Sequence, residues 1–144
     1  MTKEENDSNR ITYLQMIQSS IDRMSTTSAV FKGFCATIIT GILTISFTEI
    51  NRWILLLAVL PVLCFLIIDV YYLQLERRYR VLYDDIRIGA HNVDFDLAPP
   101  KVRELNCPEV RVWSCIKSPS IYLFYLPAII IATIVIIMKF TEVM

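Results

Sequence analysis

Three uncharged apolar runs, Gly33 to Thr48, Trp53 to Ile68 and Ile121 to Met138, dominate a chain of 144 residues. A hydrocarbon layer about 30 Å thick is crossed by about 20 mostly apolar helical residues. Each run reaches that length once its flanks are counted. The expected fold class is therefore an all-α membrane protein with three transmembrane helices. Hydrophobic residues make up 55% of the chain, and they are clustered rather than spread through short periodic segments. The first 30 residues contain Lys3, Glu4, Glu5, Asp7, Arg10, Asp22 and Arg23 and no apolar stretch, so no cleavable signal peptide is expected. The first span itself would direct insertion.

Net charge is zero, with 14 basic and 14 acidic residues, but the basic residues are unevenly placed. Arg10, Arg23 and Lys32 precede span one. Arg77, Arg78, Arg80, Arg87, Lys101, Arg103, Arg111 and Lys117 follow span two. The turn between spans one and two has only Arg52, beside Glu49, and the tail has only Lys139, beside Glu142. Lys and Arg mark the cytoplasmic side. The expected topology has the N-terminus and the long loop in the cytoplasm, and the hairpin turn and the C-terminus outside. Cys35 and Cys64 fall in spans, where cysteine acts as a small apolar side chain. Cys107 and Cys115 fall in a loop assigned to a reducing compartment, so no disulfide is expected. Their spacing fits no zinc signature and the only histidine is His91, so neither a metal nor a cofactor is expected.

Four regions follow. Residues 1–29 read as a cytoplasmic amphipathic N-terminal helix starting near Arg10. Leu14, Ile17, Ile21, Met24 and Ser28 are spaced alternately by three and four, and Ile11, Tyr13 and Met16 widen the apolar face. Nothing between Ser25 and Lys32 breaks a helix, which leaves it free to run into span one. Residues 30–75 form a transmembrane hairpin. Gly33, Thr37, Thr40, Gly41 and Thr44 give span one a stripe of small residues, of the kind that lets helix backbones approach closely in lipid. Packing against span two is the first reading of that stripe, and self-association is the second. Pro61 is expected to kink span two. Trp53, Tyr71 and Tyr72 suit its two interfaces.

Residues 76–118 comprise a cytoplasmic extension of the second span and a loop. Leu75, Tyr79, Leu82 and Ile86 form one apolar stripe. Glu76 and Arg80, and Asp84 and Arg87, are spaced to pair, and Gly89 is a stop signal. After Asn92, Pro99, Pro100, Asn106 and Pro108 punctuate the loop, Val110, Val112 and Trp113 suggest a short extended piece. Residues 119–144 are the third transmembrane helix and a short outside tail. Pro119 sits in a favourable first-turn position, Tyr122, Phe124 and Tyr125 read as interfacial aromatics, and Pro127 is expected to bend the helix.

Asp69 is the acid nearest membrane depth, eight residues or about 12 Å before Arg77. Intramembrane acids usually face protein or water and often have a role. Whether Asp69 faces protein, water or lipid headgroups stays open in the sequence. Asp69, Tyr72, Glu76 and Arg80 share a helical face and are candidates for a pore lining or gate. Arg77, Arg78 and Arg87 are candidates for lipid headgroups or an anionic ligand, with anionic lipid the simpler reading. Neither a phosphate-binding glycine loop, a nucleophile elbow, CxxC nor paired carboxylates occur, so enzyme chemistry is not expected. Direct nucleic-acid binding is not expected either.

Several blocks carry a family resemblance: Leu14 to Gln18, Ile21 to Met24, Phe31 to Gly33, Asp69 to Leu73, Glu76-Arg77, Tyr79 to Arg87, and Ser118 to Pro127. Together they resemble a group of small bacterial inner-membrane proteins with three spans. Such proteins occur as membrane effectors in anti-phage defence, beside a cytosolic sensor protein or a nucleotide second-messenger synthase. The resemblance covers most of the chain and specifies an architecture, not a reaction. It implies an inner-membrane homo-oligomer that disrupts the bilayer when triggered. The alternative is a membrane anchor or scaffold recruiting a soluble partner. A small transporter is disfavoured, because no internal repeat or pair of broken helices is visible.

Overall fold

The computed structural model describes residues 3–46, 59–90, 92–102, 105 and 107–141. It is all-helical, with no strand among the described residues. Helix α1 spans Lys3–Ser46, α2 spans Val59–Arg87, α3 spans Val112–Ile116 and α4 spans Pro119–Thr141, with a 3-10 turn at Pro108–Val110. Three of these helices are long and apolar enough to cross a membrane, which makes the chain a multi-pass membrane protein. Only 6%, 17% and 11% of their most apolar windows is buried within the chain. Exposed side chains such as Phe34, Leu60, Ile67, Leu123, Leu126 and Ile137 would be an aggregation liability in water. In lipid that exposure carries no penalty.

Helix α1 begins at Lys3, earlier than the Arg10 start expected from the periodicity. Glu4 and Glu5 lie in its first turn, where carboxylates suit the positive end of the helix dipole. Its hydroxyls return to carbonyls four residues back: Thr12 to Ser8, Ser20 to Met16, Thr27 to Arg23, Thr37 to Gly33, Thr40 to Ala36 and Thr44 to Thr40. Hydroxyls satisfied in this way can face hydrocarbon. No break interrupts α1 between Ser25 and Lys32, as the sequence allows.

The chain forms two compact units. The first comprises Met1–Thr27 and Tyr71–Cys115. Its core joins Tyr13, Ile17 and Ile21 of α1 to Leu82 and Ile86 of α2, with Leu14, Tyr79, Tyr83, Val93 and Leu97 packed around them. Spacing of four keeps each set on one helix face. Tyr13 is central, whereas Ile11 and Met16 are exposed. Helix α2 stops as its sequence indicates. Gly89 has φ +79, its N–H donates to the Ile86 carbonyl, and the Ala90 N–H donates to that of Asp85. This pair of bonds is a Schellman cap, whose left-handed position favours glycine.

The loop after Gly89 is held to the helices by side chains. The Tyr13 hydroxyl donates to Asp94 Oδ1 at 3.2 Å and to the Asp96 carbonyl. Arg78 donates to the carbonyls of Pro99 and Pro100, both at 3.0 Å. Gln74 donates to the Val110 carbonyl at 2.9 Å. Asp94 and Asp96 also cap the N–H groups of Asp96 and Ala98. The extended piece expected at Val110, Val112 and Trp113 is instead the 3-10 turn followed by α3. β-branched residues favour a strand only when another strand pairs with them, and Pro108 starts the turn.

The second unit comprises Ser28–Val70 and Ile116–Met144. Ile39 and Leu43 of α1, Val59 and Val62 of α2, and Ala132 and Ile136 of α4 line one narrow apolar crevice. Phe31 and Phe65 approach with ring centres 6.0 Å apart. Pro119 is the first residue of α4, as expected, and Pro127 lies inside it. Tyr122 is exposed like an interfacial aromatic, but Tyr125 turns inward. The small-residue stripe does not pack on α2 among the described residues. Gly33, Thr37, Thr40, Gly41 and Thr44 are all exposed, and a Cβ added at Gly33 or Gly41 would meet nothing within 4 Å. Trp53, the turn at 49–52, Arg103, Asn106 and His91 lie outside the described residues, as do the residues on which a kink before Pro61 would depend.

Candidate functional site: an ion pair within the apolar helices

Asp69 is completely buried, at 0% exposure, and is the only buried charged residue among those described. The Lys32 ammonium lies 2.9 Å from Asp69 Oδ2. The Ser28 hydroxyl donates to Asp69 Oδ1. Lys32 also donates to Ser28 Oγ at 2.9 Å and to Ser120 Oγ at 3.2 Å. Lys32 thus faces one carboxylate as a charge partner and two hydroxyls as hydrogen-bond acceptors. α1 supplies Ser28 and Lys32 one turn apart, α2 supplies Asp69, and α4 supplies Ser120. One cluster of four polar side chains thus ties together all three long helices.

The environment gives the cluster its weight. Cys35, Val70, Ile121 and Ala128 are buried in the same unit. A buried charge is tolerated only when paired and hydrogen-bonded. The Tyr125 hydroxyl is buried beside Asp69 but makes no well-angled hydrogen bond. Asp69 Oδ2 has the Lys32 charge but no well-angled hydrogen bond. Both atoms therefore retain acceptor capacity, and the tyrosine keeps a proton to donate. Chemically the cluster can hold a charge pair or exchange partners within it.

The other candidates fall elsewhere. Tyr72, Glu76 and Arg80 belong to the first unit, not to the unit holding Asp69. Arg80 donates to Glu76 Oε1 through two nitrogens, at 3.0 and 2.7 Å. Asp84 and Arg87 pair at 3.1 Å. Arg77 donates to the Glu109 carbonyl and to Ser114 Oγ, and Arg78 holds the two proline carbonyls. These two guanidiniums tie α2 to the loop, whatever else they bind. A surface groove lined by Arg77, Arg80, Asp84, Cys107, Pro108 and Glu109 mixes two cations with two carboxylates and selects neither sign. All four cysteines are free thiols. Burial pushes the Cys115 thiol up against the opposing effect of Arg77, so it stays protonated and unreactive.

The sequence singled out Asp69 but not its partners. Lys32 counted there only as a topology charge, and Ser28 only as a helix-face residue. A signal was present: a lysine at the start of one span and an acid near the same end of the next. No protein-family model, curated protein or solved structure matches this chain, so its functional reading rests on the residues themselves.

Proposed function

We propose that the chain is a small bacterial inner-membrane effector that self-associates and disrupts membrane integrity when triggered, in anti-phage defence. The defence role rests on the family resemblance, and the observation that supports self-association is the outward small-residue stripe of α1. Gly33, Thr37, Thr40, Gly41 and Thr44 face away from the rest of the described chain, where a neighbouring helix could approach closely. Three helices cannot enclose a pore, so permeabilisation requires several copies. The Lys32–Asp69 cluster would hold the resting arrangement, and Asp69 would become pore-facing only when that cluster opens. The first unit would lie in the cytoplasm, with Arg77, Arg78, Arg80 and Arg87 near anionic headgroups. The trigger, a cytosolic sensor protein or a nucleotide second messenger, acts only if it binds the resting and open assemblies with different affinity.

Membrane potential tests the proposal. Bacteria carrying the chain with its native flanking genes are challenged with phage and followed by a voltage-sensitive dye. Depolarisation that requires the chain, and that Gly33→Leu with Gly41→Leu abolishes, is the expected result. A chain that stays monomeric in the bilayer under triggering conditions sinks the proposal.

The anchor reading has an observation of its own. Ile11, Met16 and Ile88 are exposed on the first unit and would suit a soluble partner. Recovery of a stoichiometric soluble protein, with intact potential and full protection, would favour it.

A further inference from the structure

We propose that the turn at Arg111 to Trp113 is a membrane-interface anchor, seated in the headgroup layer of an anionic bilayer through the Trp113 indole. The inference rests on the long helices crossing a membrane and is independent of self-association or defence. Trp113 is 74% exposed, and its neighbour Val112 is exposed beside it. That exposure is built in. Val110 and Cys115, on either side, are fully buried. Gln74 holds the Val110 carbonyl, and Arg77 holds Ser114 Oγ at 3.2 Å. The Ser114 and Cys115 N–H groups both return to the Arg111 carbonyl, at 2.9 and 3.1 Å. A segment fixed from its inner side thus presents a large aromatic ring outward.

Position and charge identify the occupant as lipid. Pro119 begins α4 only six residues after Trp113. A chain extends at most about 3.6 Å per residue, so the Trp113 backbone lies within roughly 22 Å of the start of that helix. Tryptophan beside a span is enriched at the headgroup level, where its ring is apolar and its N–H finds a polar partner. No acidic residue occurs between Glu109 and the start of α4, while Arg111 opens the turn and Lys117 follows it. A run with cations, one indole and no carboxylate suits a negatively charged lipid surface.

Fluorescence of the full chain in phosphatidylcholine–phosphatidylglycerol vesicles tests this. Trp53→Phe leaves Trp113 as the only tryptophan. A difference spectrum between the natural chain and Trp113→Phe gives the same signal if Trp53→Phe misfolds. The expected result is emission shifted to shorter wavelength and quenched more by lipids brominated near the glycerol end than by those brominated near the methyl end. Aqueous iodide should quench it weakly, and replacing phosphatidylglycerol with phosphatidylcholine should reduce the lipid quenching. Water-like emission with strong iodide quenching overturns the proposal. Shielding from both quenchers also overturns it, and would assign the surface to a protein contact.

Discussion

Asp69 and Lys32 depend on each other unequally with respect to solvent. Lys32 retains 18% exposure, while Asp69 has none. Removing one partner of a buried pair costs about 3–5 kcal/mol, because the other charge is left uncompensated. Lys32→Ala, which strands the fully buried carboxylate, should destabilise the chain within that range, and Asp69→Ala, which strands a partly exposed ammonium, should cost less. Lys32→Met with Asp69→Leu should recover most of the loss, because apolar replacement of both partners removes the uncompensated charge. Unfolding in mixed micelles measures all three. Tyr13 gives a second prediction. Burial, aided by its hydrogen bond to Asp94 and the Asp94 and Asp96 charges, pushes its phenol up to about 12. Above the ordinary value of 10.0 the unfolded chain releases this proton first. Stability is therefore fully present below pH 10 and falls as pH rises toward 12. The natural chain should show that alkaline decline, and Tyr13→Phe should show less of it. Tyr13→Phe should also cost about 1 kcal/mol near neutrality for the lost hydrogen bonds, with faster hydrogen exchange at Asp96 and Ala98.

At the scale of the element, local rules made much of the structure legible. The Gly89 stop, the Pro119 start and the Glu76–Arg80 and Asp84–Arg87 pairs follow from spacing and backbone chemistry that neighbouring residues determine. Gly89→Ala should cost about 1–2 kcal/mol, the penalty of a left-handed position for a residue with a Cβ. Thermal unfolding checks it, and Gly89→Asn should cost less. The Lys32–Asp69 pair was not legible, because residues 37 apart on different helices meet only once each helix has chosen its rotation. Tyr125 misled for the same reason: an aromatic near a span end reads as interfacial until the rotation of α4 turns it inward. The loop showed the opposite failure. Val110 and Val112 suggested a strand on propensity, and no partnering strand exists among the described residues to make one.

The molecule as a whole buries little of its apolar surface, so most of its lipid-facing area is free for contact with bilayer or with other copies. A Cβ added at Gly33 or Gly41 meets no atom within 4 Å, so Gly33→Leu with Gly41→Leu should leave the isolated fold intact, while cysteine cross-linking between copies in native membranes falls severalfold. Equal cross-linking in both proteins would remove α1 as a contact face. The three spans were plain in the sequence because hydrocarbon imposes length and apolarity on every residue of a crossing. Which helix faces meet, and what they do, is set by a few side chains that such a rule does not see. The contact of Lys32 with Asp69 also has an electrical consequence. A cation and an anion 2.9 Å apart form a dipole with no net charge, so a transmembrane voltage exerts almost no net force on them. Losing one partner while the other stays ionised leaves a full charge in the field, worth about 2.3 kcal/mol for each 100 mV it traverses. While paired, these two charges add almost nothing to the chain's coupling to voltage, and separating them would expose a full charge to it.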